Sequence, residues 1–591
     1  MSDKNSIYKV KLAALRENMA QQGLDGLIVP HADAFQSEYP PPGARRLEWL
    51  TGFSGSAGVA VVLADKAVVM SDGRYTIQLA QQVDGDLFET GDVTKAGVSK
   101  WLPKNASKGQ VIGYDPWLFT PKQIEGLEDK IKDSEIVLKG VSENPVDVIW
   151  QDRPEAPMVA ATIFPEEIAG ISSAKKREMI TEEVKKAGGD AVILTQPDSV
   201  CWLLNVRGND VDYVPSILSY AILHVGGNVD WFVEPEKVPD DVKQHLGQGV
   251  QVLAPSEISQ SIAKLTGKVL LDFQRSPMWF KEQKIDVIDF KDPCVSPKAC
   301  KTKEERAAIE QAHVSDGVAI VRFLVWLDQE ARKGQLTELG VVEKLEEFRQ
   351  LDKNYKGPSF DTISGFGPNG AIVHYRVSEE TNSKIESSGL LLVDSGGQYH
   401  WGTTDITRTI AIGEPSEEMK VNFTRVLRGH IALATARFPA GTVGAQIDAL
   451  ARQPLWNSGL DFAHGTGHGV GCYLQVHEEA ASISPRGKEP FEAGMLISNE
   501  PGYYKKGAYG IRIENLVLVE EAERCADTDT EMLNFKTVTL APIDRKLIVA
   551  NMLSMEERQW LNAYHERVRD VLSSKLDKDE VAWLTEQTHA L

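Results

Sequence analysis

Residues 8–29 carry apolar positions at helical spacing and then run into DGLIV, a pattern that predicts an amphipathic helix followed by a short strand. A stiff loop, Tyr39-Pro40-Pro41-Pro42-Gly43, comes next, because proline and the residue before it resist helix. The runs AGVAVVL and KAVVM read as strands and YTIQLAQQV as a helix. The segment ENPVDVIWQDRPEAP, with three prolines and mixed polarity, reads as a linker closing this first α/β unit.

A second α/β unit is expected from Ser172, where SSAKKREMITEEVKKAGG leads into the strand DAVILT. That helix–strand order echoes LRENMAQQGLDGLIV near the N-terminus and suggests two related α/β domains. The next boundary is expected in KDPCVSPKACKTKEE. Thr302 and Glu305 then form a capping box ahead of a long helix, with Gly334 as its stop. Helices and strands alternate from there to about residue 545, and MEERQWLNAYHERVRDVLSS predicts a final amphipathic helix.

Composition narrows the function class. The chain has 591 residues, 42% hydrophobic and 25% charged, the balance of an ordinary globular protein of several domains. No apolar run reaches the ~18 residues that span a bilayer, and the first residues lack the apolar core of a secretory signal, so a cytoplasmic protein without membrane contact is expected. The formal net charge of -21 repels phosphate backbones, and basic residues are interleaved with acids, so nucleic acid is not an expected partner. Five cysteines with no CxxC spacing argue against a disulfide framework or a zinc knot, and Cys472 reads as a small buried thiol.

The chemistry is concentrated in the C-terminal half. Asp394, Asp405, His468, Glu500 and Glu514 lie in the contexts LLVDSGG, TTDITRT, HGTGHGVG, SNEPGYY and GIRIENLVLV. Four carboxylates and an imidazole carry too much negative charge to be buried together without cations, whereas two divalent ions need such a set of oxygen donors. Asp394 and Asp405 flank glycines that allow a hairpin-like return. His464 and His468 share a glycine-rich segment in which the missing Cβ atoms would let backbone and imidazoles crowd an ion; a turn with two ordinary histidines is the bland alternative. Strand alternation in Ile511-Arg512-Ile513-Glu514 points Arg512 and Glu514 to one face; a plain salt bridge between them is the bland alternative.

These motifs in this order resemble the three-domain aminopeptidases P of the creatinase, prolidase and methionine aminopeptidase superfamily. The likeness runs through GPNGAIVHY, VDSGGQYHWGTTDITRT, HGTGHGVG, VHE, NEPGYY and GIRIEN. Upstream it extends to RLEWLTGFSGSAG, SDGRYT, NPVDVIWQDRP and WLLNVRGNDVDYVP, and downstream to LAPIDRKLI and WLNAYHERV.

The resemblance implies an α/β and α+β multidomain protein. Two creatinase-type N-terminal α/β domains (1–150 and 151–298) would precede a pita-bread catalytic domain with a C-terminal extension (299–591). It implies a dinuclear site, most simply of manganese, ligated by Asp394, Asp405, His468, Glu500 and Glu514, with Asp405 and Glu514 bridging. Glu500, His374 and His477 are then expected to be catalytic, and His374, His464, His477 and Arg512 to bind substrate. Peptides with proline second would lose their first residue through hydroxide attack, and a homodimer is expected. A prolidase-like dipeptidase and a non-catalytic peptide-binding protein are the alternatives. One departure stands out: relatives read DAHQSEY where this chain has Phe35 in DAFQSEY, followed by an unusual PPPGA.

Overall fold

The computed structural model describes residues 2–73, 75–523 and 529–591; Cys525, and Arg74 of the SDGRYT motif, lie outside the described residues. The chain divides into two compact units. The first holds residues 1–163, 172–212 and 216–294, and the second holds 164–171, 213–215 and 295–591.

The first unit contains two six-stranded sheets. One is built from β1 (Gly26–Pro30), β2 (Val59–Leu63), β3 (Ala67–Ser71), β4 (Glu89–Asp92), β5 (Val111–Tyr114) and β6 (Val137–Gly140), in the order β4-β3-β2-β1-β5-β6. Its central strands are continuously apolar because both faces are covered. Leu27, Val29, Ala60 and Val62 pack on one side, and Ile28, Val61, Leu63 and Met70 on the other.

The second sheet comprises β7 (Ala191–Leu194), β8 (Tyr220–His224), β9 (Val229–Phe232), β10 (Val250–Leu253), β11 (Lys268–Leu271) and β12 (Asp286–Asp289), in the order β10-β9-β8-β7-β11-β12. Strand order and pairing sense match the first sheet throughout: two antiparallel pairs on one side of the central strand, then parallel pairs at both edges. The helix–strand echo in the sequence therefore has a topological counterpart. Phe35 stacks on Tyr220 with ring centroids 4.6 Å apart, and the Tyr220 hydroxyl donates to the Ala34 carbonyl at 2.8 Å.

One sequence expectation is corrected here. Part of the supposed linker is a helix, Pro145–Ile149, whose N-cap Asn144 accepts from the Val146 amide. A proline is no obstacle in a first turn, where its fixed φ suits the helix and its missing N–H would have had no helical partner.

The second unit opens with α1 (Lys303–Glu330). Thr302 and Glu305 cap it reciprocally, at 2.9 and 3.0 Å, and a short 3₁₀ turn then ends at Gly334 in the left-handed region. Strands β13 (Ile363–Phe366), β14 (Gly389–Ser395) and β15 (Ile406–Ile412) form one antiparallel sheet. A six-stranded sheet runs β16 (Arg437–Pro439), β23 (Met532–Thr537), β22 (Asn515–Glu521), β19 (Leu496–Asn499), β17 (Gly467–Gly469) and β18 (Glu478–Ile483). Strands β20 (Gly502–Lys505) and β21 (Tyr509–Arg512) pair as a hairpin. Among the other helices of this unit are α2 (Glu417–Ala434), α3 (Gly444–Trp456), α4 (Met555–Leu572) and α5 (Lys578–Gln587). One core cluster joins α2 and α4 to β21 through Phe423, Leu427, Leu561, Val568 and Ile511.

Candidate metal centre

Asp394 lies near the end of β14, and Asp405 immediately precedes β15. The antiparallel register between these strands sets Asp394 opposite Thr407 and Ser395 opposite Ile406, the return expected from the intervening glycines. His468 is the central residue of β17, Glu500 follows β19 directly, and Glu514 lies between β21 and β22.

All five side chains converge. Nε2 of His468 is 3.5 Å from a carboxylate oxygen of Asp405 and 3.5 Å from one of Glu500. Ligand atoms of Asp405, His468 and Glu514 lie within 4.8 Å of one another. Asp394 is tied into the group by Arg512, whose Nη2 donates to Asp394 Oδ2.

Within HGTGHGVG, Gly467–Gly469 form the strand β17, and a Cβ on Gly467 would come within 2.0 Å of the Ser498 carbonyl oxygen. The smallness of its glycines brings β17 against its neighbours and thereby sets the depth of His468.

Arg512 is not the ion-pair partner of Glu514. Its Nη2 meets Asp394, its Nε donates to Thr407 Oγ1 at 3.1 Å, and its Nη1 donates to the Tyr504 hydroxyl at 2.6 Å. The Thr407 hydroxyl in turn donates to Glu514 Oε2 at 2.7 Å. Arg512 and Glu514 thus meet at a shared hydroxyl, as two residues on one face would.

His464 keeps its ring beside the Gly465 carbonyl at 2.7 Å and receives the Tyr504 hydroxyl proton on Nε2 at 2.8 Å. Burial, and then the charge of Arg512, push its pKa down to about 3, so it is neutral, with His374 adding to the effect. The His477 ring stands edge-on to His468, centroids 4.5 Å apart.

The carboxylates themselves call for cations. Burial raises the carboxyls of Asp394 and Glu500, and raises that of Glu514 well above the usual range, with the neighbouring acids adding to each. Burial alone would lower His468, but Asp405 and Glu500 hold its proton and push the value up to about 9. Asp394 Oδ1 and Asp405 Oδ1 are buried without a hydrogen-bond donor. Unpaired buried oxygens facing one imidazole are a donor set for hard divalent ions, so the residues present fit such ions.

Comparison with known proteins agrees with this geometry. Residues 307–521 match the metallopeptidase family M24, and residues 531–591 match the C-terminal region of peptidase M24. Residues 11–146 and 152–305 each match a creatinase/prolidase N-terminal domain. A probable Xaa-Pro aminopeptidase P of Paracoccidioides brasiliensis is 38% identical over 98% of this chain and 99% of its own length.

The chain belongs to the Xaa-Pro aminopeptidase P family.

Another member, from Aspergillus niger, is 38% identical over 98% of both chains. The crystal structure of an X-prolyl aminopeptidase from Caenorhabditis elegans, described as a cytosolic enzyme with a di-nuclear active site, superposes with a TM-score of 0.93 at 33% identity. That match covers 99% of this chain and 100% of the other. A Xaa-Pro dipeptidase from Bacillus anthracis shares the fold over 63% of this chain, with a TM-score of 0.52. The fold is therefore the creatinase type in the N-terminal half joined to an M24 metallopeptidase domain.

Sequence reasoning passed over Thr407, Tyr504 and Ser498. Thr407 was legible, since alternation in DITRT sets it on the face of Asp405. Tyr504 carried no signal, because its place depends on the β20–β21 hairpin. Ser498 links His468 and Glu500, accepting from the His468 amide at 3.0 Å and donating to Glu500 Oε1 at 3.1 Å.

Proposed function

We infer that this metallopeptidase removes the N-terminal residue from peptides that carry proline second. The observation supporting this most directly is the convergence of Asp394, Asp405, His468, Glu500 and Glu514 in a chain alike from end to end to Xaa-Pro aminopeptidases. An Xaa–Pro bond is a tertiary amide without an N–H, so recognition as an extended strand fails there and a dedicated cavity is required.

Those five residues would hold two divalent ions, and manganese suits the oxygen-rich set. When bound, such ions supply Lewis acidity and lower the pKa of a water from about 15.7 towards ~7. Glu500 takes the proton of the attacking water and returns it to the departing proline nitrogen. His374 and His477 donate to the scissile carbonyl as negative charge develops on its oxygen. His464 and Arg512 are engaged with protein partners and both meet the Tyr504 hydroxyl, so Arg512 acts on a bound peptide through Asp394 and His464 through Tyr504.

Three subordinate readings accompany this one. Domain limits at 150/151 and 298/299 follow the composition shifts; a homodimer follows the family, and light scattering on the purified protein would test it. A cytoplasmic location is suggested by the cytosolic C. elegans relative. No helix among the described residues is long and apolar enough to cross a membrane.

The decisive experiment compares hydrolysis of Xaa-Pro-Pro tripeptides and Xaa-Pro dipeptides by protein of known metal content. Release of the free first residue from the tripeptide, with the dipeptide cleaved at least tenfold more slowly, is expected. The reverse preference would make the protein a dipeptidase.

A further inference from the structure

His374, read above as a donor to the scissile carbonyl, lies in a stretch with little regular structure. The described residues 372–388 form neither helix nor strand, apart from one bridge between Lys384 and Thr337. A 3₁₀ turn, Gly367–Ala371, comes before them, and β14 begins only at Gly389. Yet His374 stands near enough to buried His464 for its charge to help lower the pKa there. An imidazole that serves catalysis needs a fixed place, and here side chains have to supply it.

The anchor is Glu338, the first residue of the helix Glu338–Arg349, whose side chain is fully buried. Its Oε1 accepts from the Phe366 amide at 2.7 Å. Its Oε2 accepts from the Ser383 amide at 3.0 Å and the Tyr375 hydroxyl at 2.9 Å. Asn369 Nδ2 stands 3.0 and 3.1 Å from the two oxygens. The Glu338 amide donates in turn to the Ser383 carbonyl at 3.0 Å. One residue thereby ties both ends of the segment 366–383 to the residue directly after His374. A buried carboxylate with so many donors holds one geometry, because releasing any of them strands a polar group away from water. The helix N-terminus favours the charge where it stands. None of these partners is among the five residues proposed to hold metal.

We propose that Glu338 is a positioning residue for peptide hydrolysis, holding His374 at the scissile carbonyl through Tyr375 and Asn369. This rests on the donor role inferred for His374. Glu338 itself touches neither substrate nor ions; it keeps the imidazole in place as charge grows on the carbonyl oxygen, where misalignment weakens a donor steeply. Each carboxylate oxygen faces a main-chain N–H, so Glu338→Gln must turn its NH2 against one of them. Tyr375→Phe is milder: it keeps the ring and removes one hydroxyl, which also reaches the Thr381 carbonyl at 3.0 Å.

The test is a double-mutant cycle on the full-length, metal-loaded protein. It reads kcat and KM on an Xaa-Pro-Pro peptide, and metal content by atomic absorption. Glu338→Gln and Tyr375→Phe should each lower kcat about tenfold or more, with KM within about twofold of the parent and metal content unchanged. In a His374→Ala background neither change should cost more than about a further twofold, since the donor they hold is gone. A merely structural role predicts the opposite, because independent losses multiply. Losses that multiply, a fall in metal content, or full activity in Tyr375→Phe would overturn the proposal. Tyr375→Phe decides alone if Glu338→Gln does not fold. A His374→Ala protein as fast as the parent removes the donor reading and this inference with it. A slow His374→Ala beside a fast Tyr375→Phe removes the inference alone.

Discussion

At the scale of single residues, the centre divides into groups that hold charge and groups that move it. On the proposed mechanism Glu500 belongs to both, being 3.5 Å from His468 and accepting from the Ser498 hydroxyl. Glu500→Gln keeps an oxygen donor but loses the titratable site. Turnover of an Xaa-Pro-Pro peptide should fall by about 10²–10⁴, the usual worth of a positioned acid–base group, with the unfolding midpoint within a few degrees of the parent. A rate above a tenth of the parent's would remove Glu500 from the proton path. His374 has the opposite profile. His374→Ala should lower kcat by about 10²–10³, the cost of one oxyanion donor, while metal content measured by atomic absorption stays unchanged. Loss of metal would make His374 a ligand. The ligand-type residues were legible because acids in apolar strands need a reason to be there. Tyr504 and Ser498 were not, because a hydroxyl in a loop or strand looks the same whether or not it supports a charge.

At the scale of elements, strands buried on both faces were easy to see, since the runs VAVVL and AVIL leave no polar side. The long helix α1 was marked by its capping box. Short capped turns such as Pro145–Ile149 were hidden, because a handful of residues shows no period and proline is read as a breaker. The glycine-rich strand β17 was ambiguous for a related reason: glycine reports that space is short but not what fills it. Space is short in one place and free in another within the same motif. A Cβ on Gly467 would lie 2.0 Å from the Ser498 carbonyl oxygen, whereas on Gly465 it would meet only ordinary contacts, the nearest at 3.5 Å. Backbone cannot yield as a flexible side chain does, so Gly467→Ala must part β17 from β19. It should cost at least about 1–3 kcal/mol, as overpacking does, and disturb metal binding with it. Gly465→Ala should leave the unfolding midpoint nearly unmoved. Equal effects in thermal melts of the two variants would refute this account of the motif.

At the scale of the whole molecule, the repeated sheets of the first unit and the metal centre of the second answer to different forces. The first unit draws its order from apolar clusters on both sheet faces and contains none of the five residues proposed to hold metal. In the second unit, the proposed ligands from β14, β17 and the segments beside β15, β19 and β22 meet at one point, so ions held there would tie two sheets together. Without ions, the fold must keep Asp394, Glu500 and Glu514 close, and their raised carboxyls mark the repulsion this entails. Ion binding to the native state alone stabilises it by about 2.7 kcal/mol at a free concentration one hundred times Kd. For a unit of this size that corresponds to roughly 5 °C. Scanning calorimetry of metal-loaded and chelator-treated protein should therefore show one transition falling by about that amount and another holding its position. If both transitions move together, the ions stabilise the chain as a single cooperative block. If neither moves, the five side chains do not hold ions tightly, and the catalytic reading loses its foundation.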